Sequence, residues 1–363
     1  MQIDRLRLSQ YRNYTTLDMR PGPGINAILG DNAQGKTNAA EAVFLCAFGR
    51  SHRTARDAEL IAEGCAGGYV RVDITNNTGT HTIEIRLRDG ERKKIYIDRQ
   101  LAAKTGELMG HLNVVMFAPE DLSIVKDGPA ERRRFMDMEI SQTHPSYFYN
   151  LQRYNAALRQ RNALLKEQIP PEAEMLELWE QQLAALGQEI MIERYDFIDG
   201  LSTIAYDLHK SISGGKEALE IAYEPNLKAE GDIYSQLMEA LRRSAAEDVR
   251  RGFTTVGPHR DDIAISLSGA DLRTYGSQGQ KRTAALSLKL SELTFLREMK
   301  DEPPVLILDD VLSELDDSRQ QMLMETMQQC QCFLTCTSLE GIKRAGLTDI
   351  KVFRCEKGSI VEE

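Results

Sequence analysis

The chain has 363 residues, 42% of them apolar and 28% charged, with a formal net charge of −10. That length supports about two domains, each able to bury a core. No run approaches the ~18 apolar residues of a membrane span, no apolar leader core follows Met1-Gln2-Ile3-Asp4-Arg5, and the acidic balance argues against a general polyanion binder while allowing local basic patches.

Residues 1 to about 120 read as α/β. Apolar runs at Ile3 to Leu8, Ile25 to Leu29, Tyr69 to Ile74, His81 to Leu87, Lys94 to Ile97 and Asn113 to Phe117 are the expected strands, and Asn76-Asn77-Thr78-Gly79 is a hairpin turn. One helix is expected from about Lys36 to Gly49. From about 130 to 248 helical patterns dominate. Leu176, Trp179, Leu183, Leu186 and Ile190 alternate spacings of three and four, which makes one apolar face. Leu151, Tyr154, Leu158 and Leu165 indicate a partner helix, and Gln168-Ile169-Pro170-Pro171-Glu172 breaks the chain between the two. The pair reads either as a hairpin arm or as simple packing within a lid domain. From about 250 the α/β pattern returns, with strands at Val305 to Leu308 and Cys332 to Thr335.

Cys46, Cys65, Cys330, Cys332, Cys336 and Cys355 are scattered, and reduced cytosolic thiols are the default. The spacing of Cys330, Cys332 and Cys336 invites a metal reading but matches no common zinc site; it reads better as entry into a buried strand. A soluble, cytoplasmic protein is expected.

Four motifs carry chemistry. Gly30-Asp31-Asn32-Ala33-Gln34-Gly35-Lys36-Thr37 fits the phosphate-binding loop, with an apolar strand before it and a helix after. Glycines let successive N–H groups point at phosphate oxygens. Lys36 supplies a cation to the β- and γ-phosphates of ATP, Thr37 a hydroxyl to Mg²⁺, and the helix its positive end. Val305-Leu306-Ile307-Leu308-Asp309-Asp310 is an apolar strand ending in two carboxylates. Beside the loop, Asp309 would hold Mg²⁺ directly or through water, and Asp310 would orient the attacking water. Alone, this is also how many strands end. Ser277-Gln278-Gly279-Gln280 precedes a helix and offers a second anion site or an ordinary cap. Ser313-Glu314-Leu315-Asp316 is by itself a capping pattern.

The order of these four motifs resembles the ATPase heads of ABC and SMC proteins. Leu6 to Tyr14, Glu41-Ala42-Val43, Gly49 to Thr54, Phe117 to Leu122, Gly128-Pro129, Arg132 to Asp137, Gly257 to Asp262 and Tyr275 to Arg282 resemble segments of the RecF family, from residue 3 to about 340. The resemblance implies an α/β fold, an ABC-type P-loop head at 1–125 and 253–363 split by a mainly helical lobe at 126–252. It implies a weak, DNA-stimulated ATPase of replication, recombinational repair and the SOS response to DNA damage. Such a protein binds single-stranded and duplex DNA and gap junctions, forms a homodimer on ATP, and acts with RecR and RecO type mediators. Carried over residue by residue, Lys36 and Thr37 grip phosphate and Mg²⁺, Asp309 is the Mg²⁺ carboxylate, and Asp310 stands where a catalytic glutamate is usual. Ser277, Gly279 and Gln280 reach the partner's γ-phosphate, and Ser313 and Asp316 lie at the dimer seam.

Two departures stand out. The strand ending Phe333-Leu334-Thr335-Cys336-Thr337 lacks the histidine that ABC heads carry there, which agrees with slow hydrolysis, and Glu120 occupies the place of a glutamine. Arg92, Lys93 and Lys94, then Arg132, Arg133 and Arg134, then Arg250 and Arg251 are the candidate DNA contacts, each with a salt-bridged or solvated face as its plain alternative. His259 and Arg260 read as structural. A transporter ATPase subunit, a P-loop kinase and an SMC-like tether are the competing readings. The distance between motifs counts against the first, the Ser277 and Ser313 motifs against the second, and the short helical pair against the third.

Overall fold

The computed structural model describes residues 1–167, 173–228, 230–312, 315–340 and 349–363. In chain order these hold β1 (Gln2–Tyr11), β2 (Tyr14–Met19), β3 (Ile25–Leu29), α1 (Lys36–Phe48), β4 (Gly67–Asn76), β5 (Gly79–Arg88), β6 (Lys94–Ile97), β7 (Gln100–Leu101) and β8 (Val114–Phe117). Next come α2 (Leu122–Lys126), α3 (Pro129–Thr143), α4 (Pro145–Leu164), α5 (Ala173–Ile212), β9 (Leu219–Glu224), α6 (Ile233–Arg251), β10 (Asp262–Leu267), β11 (Ala270–Asp271), α7 (Leu272–Tyr275) and α8 (Gln278–Lys300). The last elements are β12 (Val305–Asp309), α9 (Asp317–Met327), β13 (Cys332–Cys336), β14 (Ile350–Glu356) and β15 (Ser359–Glu362). Two units result: Met1–Asp121 with Leu286–Glu363, and Leu122–Ala285. The second unit runs past the 252 read from the sequence because β10 pairs with β9, setting Ile263 opposite Tyr223 and Ile265 opposite Ile221. No helix among the described residues is long and apolar enough to cross a membrane.

The first unit contains two six-stranded sheets. In the order β2-β1-β4-β5-β6-β7, the strands are antiparallel and alternate in character. Leu6, Leu8, Val70, Val72, Ile83 and Ile85 are buried, while Arg7, Arg71, Glu84 and Arg86 take the other face. That is the period of two of a sheet with one covered side. The order of the other sheet is β15-β14-β3-β13-β12-β8, parallel except at β15. Its inner strands β3, β13 and β12 and the edge strand β8 are largely apolar runs, and every residue of β12 and β13 is buried. Doubly covered parallel strands have that composition. α1 touches strands of both sheets, and all but two of its 13 residues are buried. A helix buried on nearly every side, and apolar from Ala42 to Phe48, suits such a position.

The second unit is built on α5, whose 40 residues span about 60 Å at the α-helical rise. Leu176, Leu183, Leu186 and Ile190 are buried, as their spacing requires, and Trp179 is half-buried. α5 packs on α4 but also on α3, α6 and β9, so the helical pair is core of its unit rather than a free arm. The break expected at 168–172 lies outside the described residues.

The interior of this unit is unusually ionic. Arg161 is fully buried and donates to Asp248 (2.7 Å), Thr254 (2.8 Å) and Glu180 (2.9 Å). Arg194 donates to Asp137 (2.8 Å), Asp261 (3.0 Å), the Tyr147 hydroxyl (2.9 Å) and the Pro258 carbonyl (2.7 Å). The His259 Nε2–H donates to the Thr254 carbonyl (3.0 Å), and Nδ1 accepts from the Tyr154 hydroxyl (2.8 Å). Burial lowers the His259 pKa to about 4, which keeps the ring neutral. Arg260 donates to the same carbonyl and lies over the Phe253 ring. His259 and Arg260 thus brace the chain at the Gly257–Asp262 turn.

Candidate nucleotide-binding site

The parallel register sets the carboxyl ends of three strands side by side, with Leu29 opposite Cys336 and Asp309 opposite Thr335. Clefts beyond such strand ends are the usual ligand sites of α/β sheets. The loop Gly30 to Gly35 opens there and leads straight into α1. Gly35 is the helix N-cap at φ 119°, a conformation closed to residues with a Cβ. A Cβ on Gly30 would lie 2.3 Å from the Cys355 carbonyl oxygen. Asp31, Asn32 and Ala33 are exposed at the rim.

Lys36 is buried, and its Nζ donates to the carbonyls of Gly30 (2.7 Å) and Asp31 (3.0 Å). The ammonium therefore lies inside the curl of the loop, where phosphate oxygens would sit. Beside it, the Thr37 hydroxyl donates to Asp309 Oδ1 (2.9 Å) and the Thr335 hydroxyl donates to the same oxygen (2.6 Å). The Asp310 N–H donates back to Thr335 Oγ1 (3.0 Å), and Asp310 holds a left-handed φ of 54°. Strained backbone of this kind is concentrated at functional sites. Burial raises the Asp309 pKa against the two threonine hydrogen bonds, and Asp310 adds to the rise. A buried carboxylate next to a hydroxyl is a hard-oxygen pair that a divalent cation would stabilise. Thr37 and Asp309 fit Mg²⁺ on that ground.

Distant segments fix this loop from outside. Asn13 Nδ2 (2.7 Å) and the Gly358 N–H (3.1 Å) both donate to the Gln34 carbonyl. The Lys357 N–H donates to Gln34 Oε1 (2.7 Å), and the Tyr14 hydroxyl donates to the Gly35 carbonyl (2.8 Å). Gln34 is thus held by the turns β1–β2 and β14–β15. On α1, buried Glu41 accepts two bonds from Arg12 (2.8 and 2.7 Å) and one from Ser51 (2.5 Å). Burial pushes its pKa up, but these donors prevail and hold it below the ordinary carboxylate value. Thr335, Asn13, Tyr14 and Gly358 belong to the site although they lie outside its four sequence motifs. An asparagine in a tight turn is one signal for Asn13.

In the second unit, Ser277 and Gln280 form a reciprocal cap at the start of α8. The Gln280 N–H donates to Ser277 Oγ (3.2 Å), and the Ser277 N–H donates to Gln280 Oε1 (2.8 Å). Ser277 and Gly279 are exposed, and neighbouring Tyr275 is 75% exposed. The positive end of a 23-residue helix therefore faces solvent with a hydroxyl and a bare glycine beside it. Asp316 is an exposed N-cap on α9, accepting from the Arg319 N–H. Ser313 lies outside the described residues. Glu120 is exposed in a short turn after β8.

The basic candidates separate by environment. Arg132 is buried in a two-pronged pair with Asp262 (2.6 and 2.8 Å), and this structural role leaves it no face for phosphate. Arg133 donates to the Asp261 carbonyl (2.7 Å). Lys93 is engaged by Asp57 (2.7 Å), Arg134 by Glu131 (3.7 Å), and Arg250 with Arg251 by Glu247. Arg92 and Lys94 are exposed and have no ion pair among the described residues.

The family of the RecF/RecN/SMC N terminal domain matches residues 2–360. DNA replication and repair protein RecF of Alkaliphilus oremlandii is 43% identical over 99% of this chain and 100% of its own length. The protein of the same name in Acetivibrio thermocellus is 43% identical over 99% of each. A solved RecF–ATP structure, a recombination mediator protein of the RecFOR pathway, superposes with a TM-score of 0.91 at 35% identity, covering 99% of this chain and 97% of the other. An SMC head domain from Pyrococcus furiosus, at a TM-score of 0.58 and 17% identity over 99% and 96% of the two chains, shares the fold.

Proposed function

The chain belongs to the RecF family, with the α/β head of RecF and SMC-type ATPases, and on that premise we propose that ATP switches it between a free form and a DNA-gripping dimer. The observation that carries the ATP reading is the Thr37–Asp309–Thr335 hydrogen-bonded row beside the buried Lys36. Relatives of the same family solved with ATP support it.

Lys36 and the N–H groups from Gly30 to Thr37 bind the β- and γ-phosphates. Thr37 and Asp309 would hold Mg²⁺, which when bound neutralises charge on those phosphates. Asp310, fixed by its N–H bond to Thr335, orients the attacking water. The strand end Thr335-Cys336-Thr337 lacks the histidine that other heads carry there, which fits slow hydrolysis.

Ser277, Gly279 and Gln280 of one copy complete the γ-phosphate site of the other, with Asp316 and Ser313 at the seam. Their exposure supports this, since a solvent-facing helix N-terminus is available to a second chain. ATP then favours the dimer only through contacts that ADP lacks. The dimer acts in the cytoplasm on single-stranded and duplex DNA at gaps, with RecR and RecO type mediators, and hydrolysis stimulated by DNA releases it. Of the basic candidates, the exposed Arg92 and Lys94 best suit contact with the backbone of a single strand.

Light scattering tests the switch. Wild-type protein is expected to double in mass with ATP, while Ser277→Ala binds ATP with ordinary affinity and stays a monomer. A Ser277→Ala dimer of normal strength would remove the cross-subunit role.

A further inference from the structure

The solvent face of the antiparallel sheet in the first unit carries a cleft of about 380 Å³ that the ATP site does not use. The register explains it. Ser9, Tyr69, Arg86 and Lys94 form one row across β1, β4, β5 and β6, and Tyr96 lies on the same face one row away, opposite Glu84. The Arg86 guanidinium lies over the Tyr96 ring at 4.6 Å and donates to Glu84 (2.5 Å). Arg88 pairs with Glu91 at 3.4 Å. Gly67 and Gly68 leave one end of the cleft without side chains, and Arg92 and Lys94 stand exposed at its mouth.

We infer that this cleft receives one nucleotide of a single DNA strand, with its base against Tyr69 and the Tyr96–Arg86 stack and its flanking phosphates on Arg92 and Lys94. Four cations line the cleft; Glu84 pairs with Arg86 and Glu91 with Arg88, so Arg92 and Lys94 are the excess, in a chain of net charge −10. Such a local excess attracts a polyanion despite the acidic whole. Aromatic faces on a flat, basic sheet are how single strands are bound without sequence reading. A volume at the small end of ligand pockets admits one unstacked base and excludes a duplex. An acidic peptide would use the cations but leave the two tyrosine faces without a role.

This inference rests on the DNA-binding reading above. The experiment titrates oligothymidylate, a blunt duplex and a polyglutamate peptide against wild type, Arg92→Gln/Lys94→Gln and Tyr96→Leu at several salt concentrations, with ATP binding as the fold control. The double variant is expected to lose roughly tenfold or more in single-strand affinity, and its log–log salt slope to fall by about 1.4 for two lost phosphate contacts. Tyr96→Leu is expected to lose roughly tenfold with an unchanged slope, and both variants to keep their ATP affinity and duplex affinity. Unchanged single-strand affinity and slope would overturn the inference. So would equal losses on duplex, which would make the surface a general phosphate tract, or a loss confined to polyglutamate, which would give it to an acidic protein segment. A wild type that ignores all DNA would sink the DNA reading itself.

Discussion

Lys36→Ala is expected to lose ATP binding at all practical concentrations. The Lys36 ammonium is buried and satisfied by two loop carbonyls, Gly30 and Asp31, so it is already desolvated and oriented before any phosphate arrives. A charge-assisted contact of this kind is worth about 1.5–3 kcal/mol each. Lys36 would make such contacts to two phosphates. Together these predict an affinity loss of roughly a hundredfold or more. The removal also leaves two loop carbonyls short of a donor, which adds to the loss. Isothermal titration with ATP and Mg²⁺ measures it, and an unchanged thermal midpoint establishes that the variant is folded. ATP binding with wild-type affinity would remove Lys36 from the site.

The second large effect is on stability, in the unit Leu122–Ala285. Arg161 is entirely buried between Glu180 and Asp248, which are themselves buried, and it also donates to Thr254. Arg161→Ala would leave two carboxylates in the interior without a cation and open a large cavity. Breaking a buried pair in this way typically costs about 3–5 kcal/mol. That is a large part of the roughly 5–15 kcal/mol that holds a typical domain folded. Urea unfolding is expected to show an early transition assigned to this unit, while ATP binding by the folded first unit survives. A variant within about 1 kcal/mol of wild type would mean that the carboxylates find other partners or water, contrary to the present account.

Most of the first unit was legible from its pattern. The strands at Ile3, Ile25, Tyr69, His81, Lys94, Asn113, Val305 and Cys332 lie where alternation or continuous apolar runs put them, because each such run has only one way to bury its side chains. The nucleotide site was half legible. Gly30 to Thr37 and Asp309 are local motifs with a mechanism attached. Thr335, Asn13, Tyr14 and Gly358 act through hydrogen bonds to residues 21 to 324 positions away in sequence, and no periodicity encodes such pairings. The same limit explains the unit boundary. β9 and β10 are short strands at Leu219–Glu224 and Asp262–Leu267, and their mutual pairing, not their composition, carries 253–285 into the second unit. Runs of arginine misled in the opposite sense. Arg132, Arg133 and Arg134 look alike in sequence, yet one is buried on Asp262, one bonds a backbone carbonyl and one is exposed, as the 100° step of a helix dictates. The cysteines follow burial. Cys330 and Cys336 are pushed up to about 12 and about 11 by desolvation, so both remain thiols.

The claim at the centre of this account is that ATP, and not ADP, makes a dimer that holds DNA. Fluorescence anisotropy of a labelled gapped DNA, read at one fixed salt concentration with ATP, with ADP and without nucleotide, alongside the molar mass in each state, tests it directly. The account predicts tight binding and a doubled mass with ATP alone, and weak binding by a monomer in the other two states. Equal DNA affinity in all three states, or an ATP dimer that ignores DNA, would contradict it.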